Sequence, residues 1–229
     1  MNQEFPTVKQ LYHGSMLRSI AHAVSTASYP DLSYEIFWDE QHYHCNDSEG
    51  TQGAITFAKE GVIGALNDFD SNRNPFLERN NHKTYDITPY FEGIPTALRE
   101  IAERETLQYL IEDYRNQHIP VVTTAFWSSG EYLTAAESWK SVYKHGAHLL
   151  RIELMPFETA ISALEEDYEF PIHHLELVQT ILNKKMALQH EKMTLTDNEY
   201  DLLICEGDEG ISESEELFNA MQIYFPMQK

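Results

Sequence analysis

Tyr34-Glu35-Ile36-Phe37-Trp38 and Gln41-His42-Tyr43-His44-Cys45, followed by Ala54-Ile55-Thr56-Phe57-Ala58 and Val62-Ile63-Gly64-Ala65-Leu66, are the stretches that decide the fold. Each is rich in aromatic and β-branched side chains, which suit a pleated, half-buried surface. Asp39-Glu40 separates the first two. Lys59-Glu60-Gly61 separates the last two, a three-residue loop whose glycine can take the left-handed conformation of a bulged hairpin turn. The pattern predicts an antiparallel meander from about Ser33 to Leu66. Further strands are expected at Pro120–Trp127, apolar enough to be covered on both faces, and at His148–Leu154, with Leu150, Ile152 and Leu154 on one side.

Helical spacing fills much of the remainder. Leu11–Ala27 reads as a short strand or turn and then a helix carrying Leu17, Ile20, Ala21 and Val24. Leu107, Leu110, Ile111 and Tyr114 fall at i, i+3, i+4 and i+7, predicting a helix from roughly Thr96 to Asn116. Shorter helices are expected at Glu137–Lys144, stopped by Gly146, and at Phe157–Asp167, opened by Pro156. Another follows Pro171, with a stripe of Leu175, Val178, Leu182 and Met186. The polar run from Asn67 to Thr88 reads as a long surface connection. The fold expected is α+β: an antiparallel or mixed sheet covered by helices. It forms a single domain over residues 1–229, with an acidic segment, 197–216, packed on or flanking it.

Composition narrows the function. The chain has 229 residues, with 16 Lys+Arg against 37 Asp+Glu and a net charge of −21. Its hydrophobic fraction of 42% is that of a globular protein and excludes general disorder. No apolar run approaches the roughly 20 residues that cross a bilayer, and Met1-Asn2-Gln3-Glu4 opens without an apolar signal core. A cytoplasmic protein is expected, with Cys45 and Cys205 as reduced thiols. The charge disfavours nucleic acid and anionic membranes as partners and favours a basic protein.

Motifs for nucleophilic, phosphate-binding or zinc-protease chemistry are missing from the sequence. No cofactor is expected. The segment 197–216 carries nine carboxylates and no Lys or Arg. This points to an acidic protein-binding function, that of an immunity or antitoxin-like inhibitor, with Glu206, Asp208, Glu209, Glu213 and Glu215 as the binding residues. Two alternatives stand beside it. His42 and His44 alternate along one strand, so both imidazoles project from one face and could share a metal ion, although the spacing supplies no further ligand. His145 and His148 straddle Gly146, and His173-His174 are neighbours expected to diverge on a helix. Asp68-Phe69-Asp70-Ser71-Asn72 opens like a calcium loop. It fails at Arg73 and Arg79, where glycine and a bidentate Glu are needed, so an Asx-rich turn is expected instead.

The second alternative rests on a resemblance. Leu11-Tyr12-His13-Gly14-Ser15, followed by a helix with Ile20, resembles the opening motif of ADP-ribosyltransferases of the His-Tyr-Glu type. The resemblance implies a strand-borne His13 and a following Gly14 that hold nicotinamide-adenine dinucleotide, with Glu153 as the late acidic residue. A second resemblance covers more of the chain. Gly50–Phe57, Asn72–Phe76, Thr124–Trp127 and His145–Leu150 together resemble a family of bacterial cytosolic proteins of unassigned function. It implies a shared fold and brings no chemistry.

Overall fold

The computed structural model describes residues 5–80, 84–188 and 191–227. The chain enters helix α1 (Val8–Thr26) and then a 3-10 turn, Pro30–Glu35. Strands β1 (Ile36–Asp39), β2 (His42–Asn46), β3 (Thr51–Ala58) and β4 (Gly61–Asp68) follow. Helix α2 (Thr96–Arg104) leads through a 3-10 turn, Thr106–Leu110, into β5 (Ile111–Tyr114), β6 (Gln117–Pro120) and β7 (Thr124–Ser128). Next come α3 (Trp139–Lys144), α4 (Phe157–Tyr168), α5 (Ile172–Leu188) and β8 (Met193–Thr194). The last elements are α6 (Asp197–Leu203), α7 (Ile211–Ala220) and β9 (Ile223–Tyr224). The fold is α+β. Two compact units are interleaved along the chain: Met1–Lys9 with Gln41–Arg151, and Gln10–Glu40 with Ile152–Lys229.

In the first unit four antiparallel strands lie in the order β2-β3-β4-β7. Ala54, Ala65 and Ala125 stand in register across β3, β4 and β7. These small side chains let Leu98, Ile101, Leu107 and Leu110 close over that face with Phe91, Ile63 and Trp127. On the opposite side Phe126 lies across Gly64, its register partner. A Cβ at Gly64 would come within 2.2 Å of that ring. The β3–β4 turn is tighter than expected, because pairing resumes at Gly61 opposite Ala58. Gly61 has φ +145°, and a Cβ there would lie 2.0 Å from the Ser128 carbonyl oxygen.

Other expectations for this unit need correction. The helix expected to reach Asn116 ends at Arg104, and Ile111–Pro120 is a hairpin. Arg115 and Asn116 both take positive φ (53° and 63°), forming a two-residue turn whose twist suits paired strands. Leu107 and Leu110 are buried from a 3-10 turn and Tyr114 from a strand, which imitates helical spacing. The strand expected at His148–Leu154 is also absent: Ala147–Leu150 is a 3-10 turn, with further turns to Met155. Adjacent Leu149 and Leu150 are both buried, which a strand solvated on one face does not allow.

The polar connection after β4 is not a surface loop as far as Asn80. Asn74 is fully buried, with Ser71 and Asn80 nearly so. Asp68 Oδ1 accepts the backbone N–H groups of Asp70 and Ser71, the Asx turn expected in place of a calcium site. Asn80 Nδ2 donates to the carbonyls of Asn72 and Asn74. Arg73 makes a two-pronged pair with Glu137, both bonds 2.6 Å, and donates to the Thr123 carbonyl and to Ser141 Oγ. Short polar side chains here replace the hydrogen bonds that regular structure would supply.

In the second unit α1 buries Leu11, Leu17, Ile20, Ala21 and Val24. Trp38 Nε1 donates to Ser19 Oγ at 2.8 Å. Ser214 Oγ of α7 donates to the Ala23 carbonyl, and Gly210 N–H to that of Ala27. Helix α5 buries Leu175, Val178 and Leu182 as its stripe predicts. A capping box at Thr196–Glu199 opens α6.

Filling the space at Gly64 should show where the first unit is tightest. Gly64→Ala is expected to lower stability by about 1–3 kcal/mol, measured by urea unfolding. Gly130→Ala, whose Cβ meets nothing within 4 Å, is expected to change it little.

Candidate functional site

Of the residues singled out for dinucleotide binding, Gly14 and Glu153 come together, in a different way from that expected. His13 and Gly14 lie within α1, so the strand that the transferase resemblance requires is a helix. Gly14 faces the turn that carries Glu153, where a Cβ would sit 2.1 Å from the Glu153 carbonyl oxygen. Glycine is there to let the backbones meet. Arg18, one helical turn on, pairs with the Glu153 carboxylate at 2.9 Å. That carboxylate is wholly buried. The pair is a packing element of the unit's interior.

His42 and His44 do share one face of β2, as their alternation predicts, and both rings lie beside Tyr109 at 5.5 and 6.2 Å. His42 Nδ1 is hydrogen-bonded to Thr56 Oγ1 at 2.9 Å, and its Nε2 lies 3.6 Å from Glu105. His44 is buried, and desolvation pushes its pKa down to about 4. His22 in the second unit is likewise pushed down to about 4, burial outweighing its contact with the Ser33 carbonyl. Neither His42 nor His44 belongs to a group of three gathered metal-binding side chains; among the described residues that distinction falls to His173, His174 and Cys205.

These three sit where α5 begins and α6 ends. Pro171 accepts the N–H of His174 at the head of α5, and Phe170 stands edge-on to its ring. The imidazoles of His173 and His174 do not diverge as expected, their centroids being 4.7 Å apart. Cys205 Sγ is 3.1 Å from His173 Nε2 and 3.9 Å from His174 Nε2. Glu206 Oε1 is 3.3 Å from His173 Nε2. Burial and the Glu206 charge raise the Cys205 pKa, while burial and His173 lower that of His174.

Of the other acids in this segment, Glu199 is committed to structure through Thr196 and Lys184. Asp208, Glu209 and Glu215 are exposed and Glu213 half-buried in the first turn of α7. None of these four has a basic partner among the described residues.

A groove of about 710 Å³ lies in the same unit, and Asp31, Glu35, Glu166, Asp167 and Glu169 all line it. Its basic lining is Arg18, already paired with Glu153, and His22, which burial keeps neutral. A second cleft of about 380 Å³ shares Ser25, Tyr29, Tyr168 and Glu169 with the first and extends to His174 and Glu206. Tyr29 is 73% exposed at the junction, with Tyr34 and Leu32 also exposed on the Pro30–Glu35 turn. The chain matches no protein-family model, no curated protein and no solved structure. Its own side chains carry the functional reading.

Sequence reading located the acids of 206–215 but missed those of the groove. Glu165-Glu166-Asp167 and Glu169 form an acidic run at the end of α4, a signal visible in the sequence. Their alignment with Asp31 and Glu35, more than a hundred positions earlier, is a property of the fold.

Removing Arg18 strands a buried carboxylate. Arg18→Met is expected to cost about 3–5 kcal/mol in thermal unfolding, and adding Glu153→Gln to recover most of it. If the single variant unfolds like the parent, Glu153 does not need its partner. Histidine burial sets a pH dependence. The unfolded chain takes up protons on His22 and His44 between pH 6.5 and about 4 while the folded chain does not, so stability falls as pH drops through that window. The urea midpoint should decline there, and His44→Asn should flatten the slope.

Proposed function

We propose that this protein acts by binding a basic protein partner, in the manner of an immunity or antitoxin-like inhibitor, with the acidic groove of its second unit as the docking face. The observation that carries this reading is the convergence of five carboxylates on one groove whose only cation at neutral pH is already paired. A lysine or arginine from a partner would enter a concave, negatively charged channel, where low-dielectric walls focus the field. Tyr29, Tyr34 and Leu32 supply the apolar and aromatic anchors that dominate interface energetics. Helix α7, which bears Glu213 and Glu215, packs against the turn that carries Asp31 and Glu35, so its acids extend the same field.

Charge of this kind steers encounter and selects partners more than it adds affinity. Retrieval from the source cells with the chain as bait should therefore enrich a basic protein. Its association rate should fall by about tenfold or more between about 50 and about 500 mM salt, as the Debye length shrinks below the reach of the groove. Glu166→Gln, Asp167→Asn and Glu169→Gln together should slow association and flatten its salt dependence. A partner that binds equally fast at both salt concentrations would remove this reading.

A further inference from the structure

We infer that His173, His174 and Cys205, with the Glu206 carboxylate, form a binding site for a divalent transition metal ion of the zinc class. The site is independent of the docking groove and rests on a different observation: four donor groups from two separate segments are already gathered. Two imidazole nitrogens, a thiol sulfur and a carboxylate form a mixed N/S/O set. That set suits zinc-like ions, whereas calcium and magnesium prefer oxygen alone.

The distances agree with the chemistry. Zinc–sulfur and zinc–nitrogen bonds of about 2.3 and about 2.0 Å at a tetrahedral angle place neighbouring donors about 3.3–3.5 Å apart. The Cys205–His173, Cys205–His174 and Glu206–His173 separations of 3.1, 3.9 and 3.3 Å bracket that edge. All three atoms of the His-His-Cys group lie within 4.8 Å of one another. An ion could enter the space between them with small side-chain rotations. His174 Nε2 now lies 3.2 Å from the Leu202 carbonyl. On binding, the metal takes that nitrogen's lone pair, the imidazole proton moves to Nδ1, and the Cys205 thiol releases its proton to solvent as the sulfur–metal bond forms.

Electrostatics decides whether a cation is tolerated here. The first turn of α5 presents the positive end of its dipole, which weakly opposes a cation at an exposed site. Against it stand the thiolate, the Glu206 carboxylate and that of Glu169, which lines the same cleft as His174 and Glu206. Full charges at coordination distance outweigh the partial charge of a helix end. Cys205 is exposed and His173 half-buried, so the ion has a path from solvent. The bonds would clip the head of α5 to the loop after α6. The fold there already forms without the ion, so metal should add stability by mass action instead of nucleating the unit.

Cobalt reports directly on the thiolate. The 229-residue chain, purified without a metal-affinity tag and stripped with chelator, is titrated with Co²⁺ and then with Zn²⁺ in the absence of any partner. The expected result is one equivalent of Co²⁺ with a thiolate-to-cobalt charge-transfer band and tetrahedral visible bands, displaced by one equivalent of Zn²⁺ and accompanied by a higher melting temperature. Cys205→Ser should abolish the charge-transfer band and weaken Zn²⁺ binding at least tenfold, on the order of the 1.4 kcal/mol that a factor of ten represents. His174→Gln should weaken it similarly, while Cys45→Ser should leave the titration unchanged. Circular dichroism confirms that each variant is folded. Absence of the charge-transfer band, or non-saturating binding that survives both Cys205→Ser and His174→Gln, overturns the assignment and leaves only loose association with surface carboxylates.

Discussion

The second unit depends on one close approach. Its two segments, 10–40 and 152–229, are separated by residues 41–151, most of the first unit's sequence. They meet where Gly14 of α1 receives the backbone at Glu153 without a side chain between them. The Arg18–Glu153 pair then fixes that meeting with a carboxylate that is wholly buried. A buried ion pair contributes little net energy compared with a good apolar contact, but it is unforgiving of misplacement. It specifies which part of α1 faces which turn. Arg18 and His22, on successive turns of α1, both line the acidic groove.

Asp31, Glu35, Glu166, Asp167 and Glu169 share that groove with Arg18, which is paired with Glu153, and with His22. Surface acids of this kind gain from any cation that arrives, whether a partner's side chain or a metal ion at the nearby thiol. The same economy appears in the first unit with the opposite outcome. There Arg73 and Glu137 satisfy each other, with Thr124 and Ser141 completing the carboxylate's shell. One unit consumes its charge internally; the other presents it.

Legibility in the sequence followed the range of the physics involved. Strands β2, β3 and β4 could be read because aromatic and β-branched residues, polar breaks and a glycine turn all act within a few residues. Helices α4 and α5 were legible for the same reason, from proline starts and apolar stripes. The β5–β6 hairpin was not, because Leu107, Leu110, Ile111 and Tyr114 repeat at a helical interval while two positive-φ residues, Arg115 and Asn116, reverse the chain. Helix α1 was only half visible: Gly14 looks like a break in the sequence and is a contact in the fold. The site divides in the same way. Acidic residues of 206–215 stood out by counting, whereas His173, His174 and Cys205 carry no metal-binding spacing and are united by the packing of α5 against α6.

The alternation of the chain between its units bears on the order in which the protein can be made. A ribosome releases residues 10–40 long before 152–229, so α1 emerges with its apolar face bare and Gly14 unmatched. The first unit can complete most of its sheet and its covering helix from a nearly continuous stretch, 41–151, during that interval. The second must wait for residues 152–229. Nascent α1 is therefore the segment most exposed to chaperones or to wrong partners during synthesis.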